Sequence, residues 1–143
     1  MTLYLDTEFN GHGGELISLA LVSDKSGEFY SVLPAPEKWD DWCLKHVVPF
    51  LEQASEPENE FRMRLRHFLE KHSGEEIIAD WPDDFVHLMQ ALSGPSYDQS
   101  YMLPVSMRLV VSGDVQPEVP HNALSDAKAL MYWHLHHKSH MDF

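Results

Sequence analysis

Cysteine is nearly absent from this chain. Cys43 is the single one in 143 residues, so no disulfide can close within it, and a reducing compartment suits it. Long apolar runs are missing as well. Nothing approaches the roughly 20 consecutive apolar residues of a membrane helix. The start, Met1-Thr2-Leu3-Tyr4-Leu5-Asp6, has no basic region ahead of an apolar stretch, so no secretory leader is expected. A cytoplasmic protein with no membrane partner is the expectation. Positive charge is also in short supply: 10 Lys+Arg stand against 23 Asp+Glu, a formal net charge of −13. A protein that grips long duplexes through many phosphates carries a basic stripe. Here the densest basic set is only Arg62, Arg64, Arg66 and Lys71. That balance argues against tight, extended nucleic-acid binding and favours a short, metal-anchored contact. What is present is 43% hydrophobic residues, enough for one domain with a real core.

The chain reads as alternating strands and helices. Residues 2–9 alternate with period two, as a half-buried strand does, and Gly11-His12-Gly13-Gly14 breaks them off. Glu15 to Val22 is nearly continuously apolar, a central strand. A turn at Asp24-Lys25-Ser26-Gly27 leads to a third strand through Phe29 to Leu33. Three strands on short turns form an antiparallel meander. Glu37 to Leu51 then carries Trp39, Trp42, Cys43, Val47 and Phe50 at helical spacing, with Pro49 kinking or ending it. Glu58 to His72 gathers Phe61, Leu65, Phe68 and Leu69 on one helical face. Glu76 to Ala79 is a short buried strand. Pro82 suits the first turn of a helix that buries Phe85, Leu88, Met89 and Leu92. A fifth strand lies within Pro104 to Val111, and Asn122 to His137 closes the chain as a helix. The predicted fold class is α/β: a mixed five-stranded sheet flanked by helices, its later strands parallel.

Three acidic patches fall on this frame. Asp6 and Glu8 are two apart on a strand, so their carboxylates share one face and reach one cation or a close pair. Asp80, Asp83 and Asp84 sit where a buried strand hands over to a helix, a common place for ligand groups in α/β folds. One of them is expected to cap that helix. His121 and Asp126 flank the start of the last helix, and histidine is the side chain best placed to move a proton near neutral pH. Four hard oxygen ligands and a histidine are what two-metal phosphodiester hydrolysis requires.

In motif and order these patches resemble the DEDDh 3′-to-5′ exonucleases, a branch of the ribonuclease H-like superfamily that includes ribonuclease T and is similar to oligoribonuclease. Asp6-Thr7-Glu8 matches Asp-x-Glu. His121-Asn122-Ala123-Leu124-Ser125-Asp126-Ala127 matches His-x-Ala-x-x-Asp-Ala. The middle motif departs from the family: Asp80 stands where an Asn is usual and Asp83 where a Phe is, while Asp84 falls on the ligand position. The resemblance implies one exonuclease domain over residues 1–143 with a ribonuclease H-like fold. It implies two Mg²⁺ or Mn²⁺ ions per site on Asp6, Glu8, Asp84 and Asp126, with Asp80 as the alternative to Asp84. It makes His121 the general base. Phe9, Asn10 and Gly11, with Asp80, are expected to line the pocket for the terminal nucleotide of single-stranded RNA or a short oligonucleotide. Relatives often dimerise, and a homodimer could lend Arg62, Arg64 and Arg66 to the neighbouring site.

Other features carry blander expectations. His134, His136, His137 and His140 have chelating spacings but read as a solvated helix end. Cys43 reads as a buried core thiol. Trp39, Trp42 and Trp81 read as core or interface, Trp81 being the one adjoining the site. Two other functions compete: a catalytically silent ribonuclease H-like binding module, and a small-nucleotide phosphodiesterase, which the acidity suits.

Overall fold

The computed structural model describes residues 1–94, 103–113 and 115–137. Its elements run β1 (Thr2–Phe9), β2 (Leu16–Ser23), β3 (Glu28–Val32), α1 (Asp41–His46), α2 (Glu58–Lys71), β4 (Glu76–Ala79), α3 (Pro82–Ser93), β5 (Ser106–Leu109) and α4 (Ala123–His137). The five strands form one sheet in the order β3-β2-β1-β4-β5. β1, β2 and β3 are antiparallel neighbours, whereas β4 runs parallel to β1 and β5 parallel to β4. The meander and the parallel pair are those the sequence predicts. Each parallel partner arrives after a long connection, as a parallel pair requires.

The period-two alternation decides which helix covers which face. Leu3, Leu5, Leu19, Leu21 and Ile77 pack under Phe61, Leu65 and Leu69 of α2 and Leu88 and Leu92 of α3. The intervening residues face the other way: Tyr4 and Ile78 meet Leu130 of α4, and Ala20 and Val22 meet Ala123 and Ala127. Alanines at Ala123 and Ala127 bring the start of α4 close to the sheet. That proximity sets up the site.

The expected helix over 37–51 is shorter. Asp40 ends the approach by accepting from the Cys43 N–H at 3.1 Å, so the helix starts at Asp41. It stops at His46, and Pro49 opens a separate 3₁₀ turn at Val48–Phe50. Cys43 and Val47 are buried against Ile17, with Trp39 partly buried beside them. Trp42 is 51% exposed and Trp81 59% exposed, so neither belongs to the core within the chain. Among the described residues no helix is long and apolar enough to cross a membrane.

Candidate metal centre and active site

β1 delivers the first two carboxylates. Asp6 and Glu8 project from the α4 face and lie opposite Ala20 and Ser18 of β2, two small residues that leave room for them. Beyond β1, Asn10 pins the turn. Its Oδ1 accepts the Asp40 N–H at 2.7 Å, and its Nδ2 donates to the Lys38 carbonyl at 2.8 Å and to Glu15 Oε1 at 3.1 Å. Gly11 follows with φ +77°, and a Cβ there would stand 3.4 Å from Asp40 Oδ1. The Asn10 amide thus serves to hold the loop against the segment ahead of α1.

β4 and α3 deliver the middle patch. Asp80 follows the last residue of β4, and its Oδ2 accepts from Ser112 Oγ at 2.8 Å. Neither Asp80 nor Asp83 caps α3, contrary to expectation: Trp81 holds the cap position with no side-chain bond, and Pro82 begins the helix. Proline has no N–H to satisfy there, so a capping acceptor has less to do. Asp83 instead faces exposed His12, at 3.8 Å. Asp84, in the first turn, is 1% exposed and turns back toward β1, where its Oδ1 accepts from Thr7 Oγ1 at 2.6 Å.

α4 delivers the rest. Asn122 is its N-cap: Oδ1 accepts the Ser125 N–H at 3.0 Å, and the carbonyl accepts the Asp126 N–H at 2.9 Å. The Asn122 amide also donates to the Phe50 carbonyl at 2.8 Å, tying the 3₁₀ turn to the start of α4. His121 enters with φ +66°, a left-handed conformation that histidine tolerates better than most residues. Its ring meets Trp42 edge-on, with centroids 4.9 Å apart, and lies 6.5 Å from the His46 ring.

The carboxylates form two overlapping groups. Oxygens of Asp6, Glu8 and Asp126 lie within 4.8 Å of one another, and so do oxygens of Asp6, Asp80 and Asp84. Asp6 belongs to both. Asp80 and Asp84, alternatives in the sequence, therefore stand side by side at the same place.

The charges are unbalanced. Burial first, then Asp84, Glu8, Asp126 and Asp80, push the Asp6 carboxyl well above the usual carboxylate range. Burial and a shared hydrogen bond with Asp126 push Glu8 up to about 9. Burial raises Asp84 to about 7 against the opposing Thr7 hydrogen bond. Burial likewise raises Asp126, while the hydrogen bond from Glu8 and the charge of His121 oppose it. The charges that act most strongly on Asp6 are all acidic. Asp6 Oδ2 and Asp84 Oδ2 are buried and meet no hydrogen-bond donor among the described residues. A buried carboxylate oxygen without a donor or cation is costly. Divalent cations with oxygen preference fit this donor set.

Several neighbours escaped the sequence reading. Thr7 points to the face opposite Asp6 and Glu8. Its period-two position shows that, but not the Asp84 contact. His87, one turn after Asp84, is buried and stacks on Phe9 with centroids 4.7 Å apart and planes at 28°; burial holds its imidazole below its ordinary pKa. The solvated helix end needs one correction. His134 is 2% exposed, and its Nδ1 lies 2.7 Å from the Tyr4 hydroxyl, because it follows Leu130 by four residues on the sheet-facing side of α4. His136 and His137 are exposed as expected, and His140 lies outside the described residues. Arg62, Arg64 and Arg66 lie on α2, over the sheet face away from Asp6 and Glu8. Arg62 donates to the Ala91 carbonyl, Arg64 pairs with Glu56, and Arg66 lies 3.4 Å from Glu70.

No family model matches the chain. Over 89 residues, 57% of its length, it is 34% identical to the 3′-5′ exoribonuclease Rv2179c of Mycobacterium tuberculosis (strain ATCC 25618 / H37Rv), and equally to the 3′-5′ exoribonuclease MT2234.1 of strain CDC 1551 / Oshkosh. The match covers 52% of each, so the chain spans about half the length of the curated relatives it matches. Among solved structures it is similar to cell-death related nuclease 4 (CRN-4), with a TM-score of 0.55 and 12% identity over 98% of this chain and 64% of that one. At that identity the likeness concerns the fold alone, a mixed five-stranded sheet flanked by helices.

Proposed function

We propose that this chain is a metal-dependent 3′-to-5′ exonuclease of the DEDDh type, acting on single-stranded RNA or short oligonucleotides. The observation that carries this reading is the double membership of Asp6, which makes two adjoining oxygen-rich sites out of four flanking carboxylates. Similarity to 3′-5′ exoribonucleases supports the reaction and substrate class. Asp6, Glu8 and Asp126 would hold one Mg²⁺ or Mn²⁺ ion, and Asp6 and Asp84, with Asp80 beside them, the other. When bound, divalent ions acidify water and stabilise charge on the oxygens of the scissile phosphate.

The chain's own groups do the rest. His121 accepts the proton of the attacking water as general base, and the P–O3′ bond breaks to leave a 3′-hydroxyl on the shortened strand. The Trp42 ring meets the His121 ring edge-on. Phe9, backed by His87, offers a flat apolar face for the terminal base, and Gly11 permits close backbone approach. Asn10 keeps that loop in place.

Incubation with Mn²⁺ and 5′-labelled RNA, DNA and dinucleotides tests the reading. A ladder shortening from the 3′ end is the expected result. Cleavage of dinucleotides alone would instead identify a small-nucleotide phosphodiesterase, and no turnover of any of them a silent binding module.

A further inference from the structure

The exonuclease reading leaves a large groove along α4 unused. It has a volume of about 520 Å³ and runs along the outer side of α4, lined by Glu118, Ser125, Lys128, Tyr132, Trp133 and His137. We propose that this groove is a track for the single-stranded nucleic acid upstream of the 3′ end held at the carboxylates. The proposal rests on the nuclease reading of that site and extends it.

Continuity comes first. The groove's lining includes Ser125, the residue before Asp126 in the chain. Residues flanking its other wall are held at two points: Ser112 Oγ donates to Asp80 of the candidate site, and the Val119 N–H donates to Ser125 Oγ on α4 at 2.8 Å. From Ser125 to His137 the helix advances roughly 18 Å at about 1.5 Å per residue. That accommodates on the order of five stacked nucleotides at about 3.4 Å each.

Surface chemistry comes second. Tyr132 is 66% exposed, an unusual position for an aromatic ring on a helix. The Tyr132 ring lies tilted against His136 with centroids 4.0 Å apart, and the Trp133 ring stacks on His137 at 5.0 Å. Both histidines direct Nδ1 to helix carbonyls at 2.7 Å, so the flat surfaces are set before anything binds. Stacking on such rings tolerates any base.

Charge comes third. In a chain of net −13, α4 contains a single acid, the candidate ligand Asp126. Lys128 on the groove lies 3.2 Å from Glu28, but both side chains are about half exposed and such a pair is weak. Lys128 can exchange that partner for a phosphate.

The test compares an eight-nucleotide single-stranded RNA with a dinucleotide on the wild type and on Tyr132→Ala and Lys128→Gln. Both substitutions are at exposed positions, and thermal melts verify the fold. Turnover of the dinucleotide by the wild type reports on the carboxylate site, independently of the track. The track requires that Tyr132→Ala lower kcat/KM for the eight-mer about tenfold more than for the dinucleotide. It also requires that Lys128→Gln flatten the salt dependence of eight-mer binding by roughly 0.7 in log–log slope. Equal losses on both substrates, or none, overturn it. So does a shift between monomer and dimer in sedimentation, which would make the groove a contact between copies.

Discussion

The Thr7 hydroxyl donates to Asp84 Oδ1 at 2.6 Å, joining the two sheet faces at the point where the carboxylates meet. Thr7 lies between Asp6 and Glu8 in sequence yet points the other way, so the strand that supplies two candidate ligands also orients a third. With Oδ1 engaged, Asp84 Oδ2 is left buried without a donor among the described residues. Thr7→Val keeps the shape and removes the donor. The expected cost is about 1–3 kcal/mol of stability, together with weaker Mn²⁺ binding. Thr7→Ser should retain most of both. Urea denaturation with and without Mn²⁺ separates the two effects, and a Thr7→Val protein as stable as wild type would show that the bond carries little weight.

Acid should stabilise the metal-free protein. Raised carboxyl pKa values mean that the folded chain holds more protons than the unfolded one, so stability falls as pH rises. The loss begins near the unfolded values of about 4. It continues through about 7 for Asp84 and about 9 for Glu8. In EDTA the Tm should therefore decline from pH 5 to pH 9. At pH 8, Mn²⁺ at a hundredfold over its Kd should restore about 2.7 kcal/mol for each ion bound, a rise of roughly 5–10 °C per ion. The same addition at pH 5 should do less. A Tm in EDTA that climbs across this range would contradict the crowding of these acids.

Asp6 and Asp126 should differ in metal stoichiometry. Asp6 stands in both carboxylate groups and Asp126 in one. Calorimetric titration with Mn²⁺ should give two ions for the wild type, one for Asp126→Asn and none at comparable affinity for Asp6→Asn. Asp6→Asn should also melt higher than wild type in EDTA at pH 8, because it removes the acid most crowded by others. Two ions bound to Asp6→Asn would rule out Asp6 as the shared ligand.

Much of this was legible in the chain before its fold, and for identifiable reasons. Strands β1, β2 and β4 carry their apolar residues with little ambiguity, and Pro82 and Gly74 punctuate α2, β4 and α3. Asp6, Glu8 and Asp126 were readable because two-residue and helical spacings fix a face. The choice between Asp80 and Asp84 was not, because β4 ends and α3 begins between them, and the turn brings both to Asp6. α1 came out short because Asp40 and Pro49 outweighed the aromatic spacing. His134 looked like part of a solvated cluster. Its burial depends on Tyr4, 130 residues away, and no local pattern records such a contact.

His121 is held in place by rings. Its backbone lies at φ +66°, and its side chain rests edge-on against Trp42 at 4.9 Å, with His46 on the same helix at 6.5 Å. Half of Trp42 is exposed, so its removal opens little of the core. His121→Ala should abolish hydrolysis while leaving Mn²⁺ binding largely intact, because the histidine adds no oxygen to either carboxylate group. Trp42→Ala should act more gently. An imidazole freed to rotate spends less time aimed at the attacking water, which lowers kcat by an expected order of magnitude, within the span of general-base catalysis at about 10²–10⁴-fold. Trp42→Phe keeps a ring edge near the imidazole and should recover most of the loss. The Mn²⁺ affinity of both Trp42 variants should match wild type. If Trp42→Ala instead turns over as fast as wild type while His121→Ala is dead, the imidazole finds its orientation from the left-handed backbone alone.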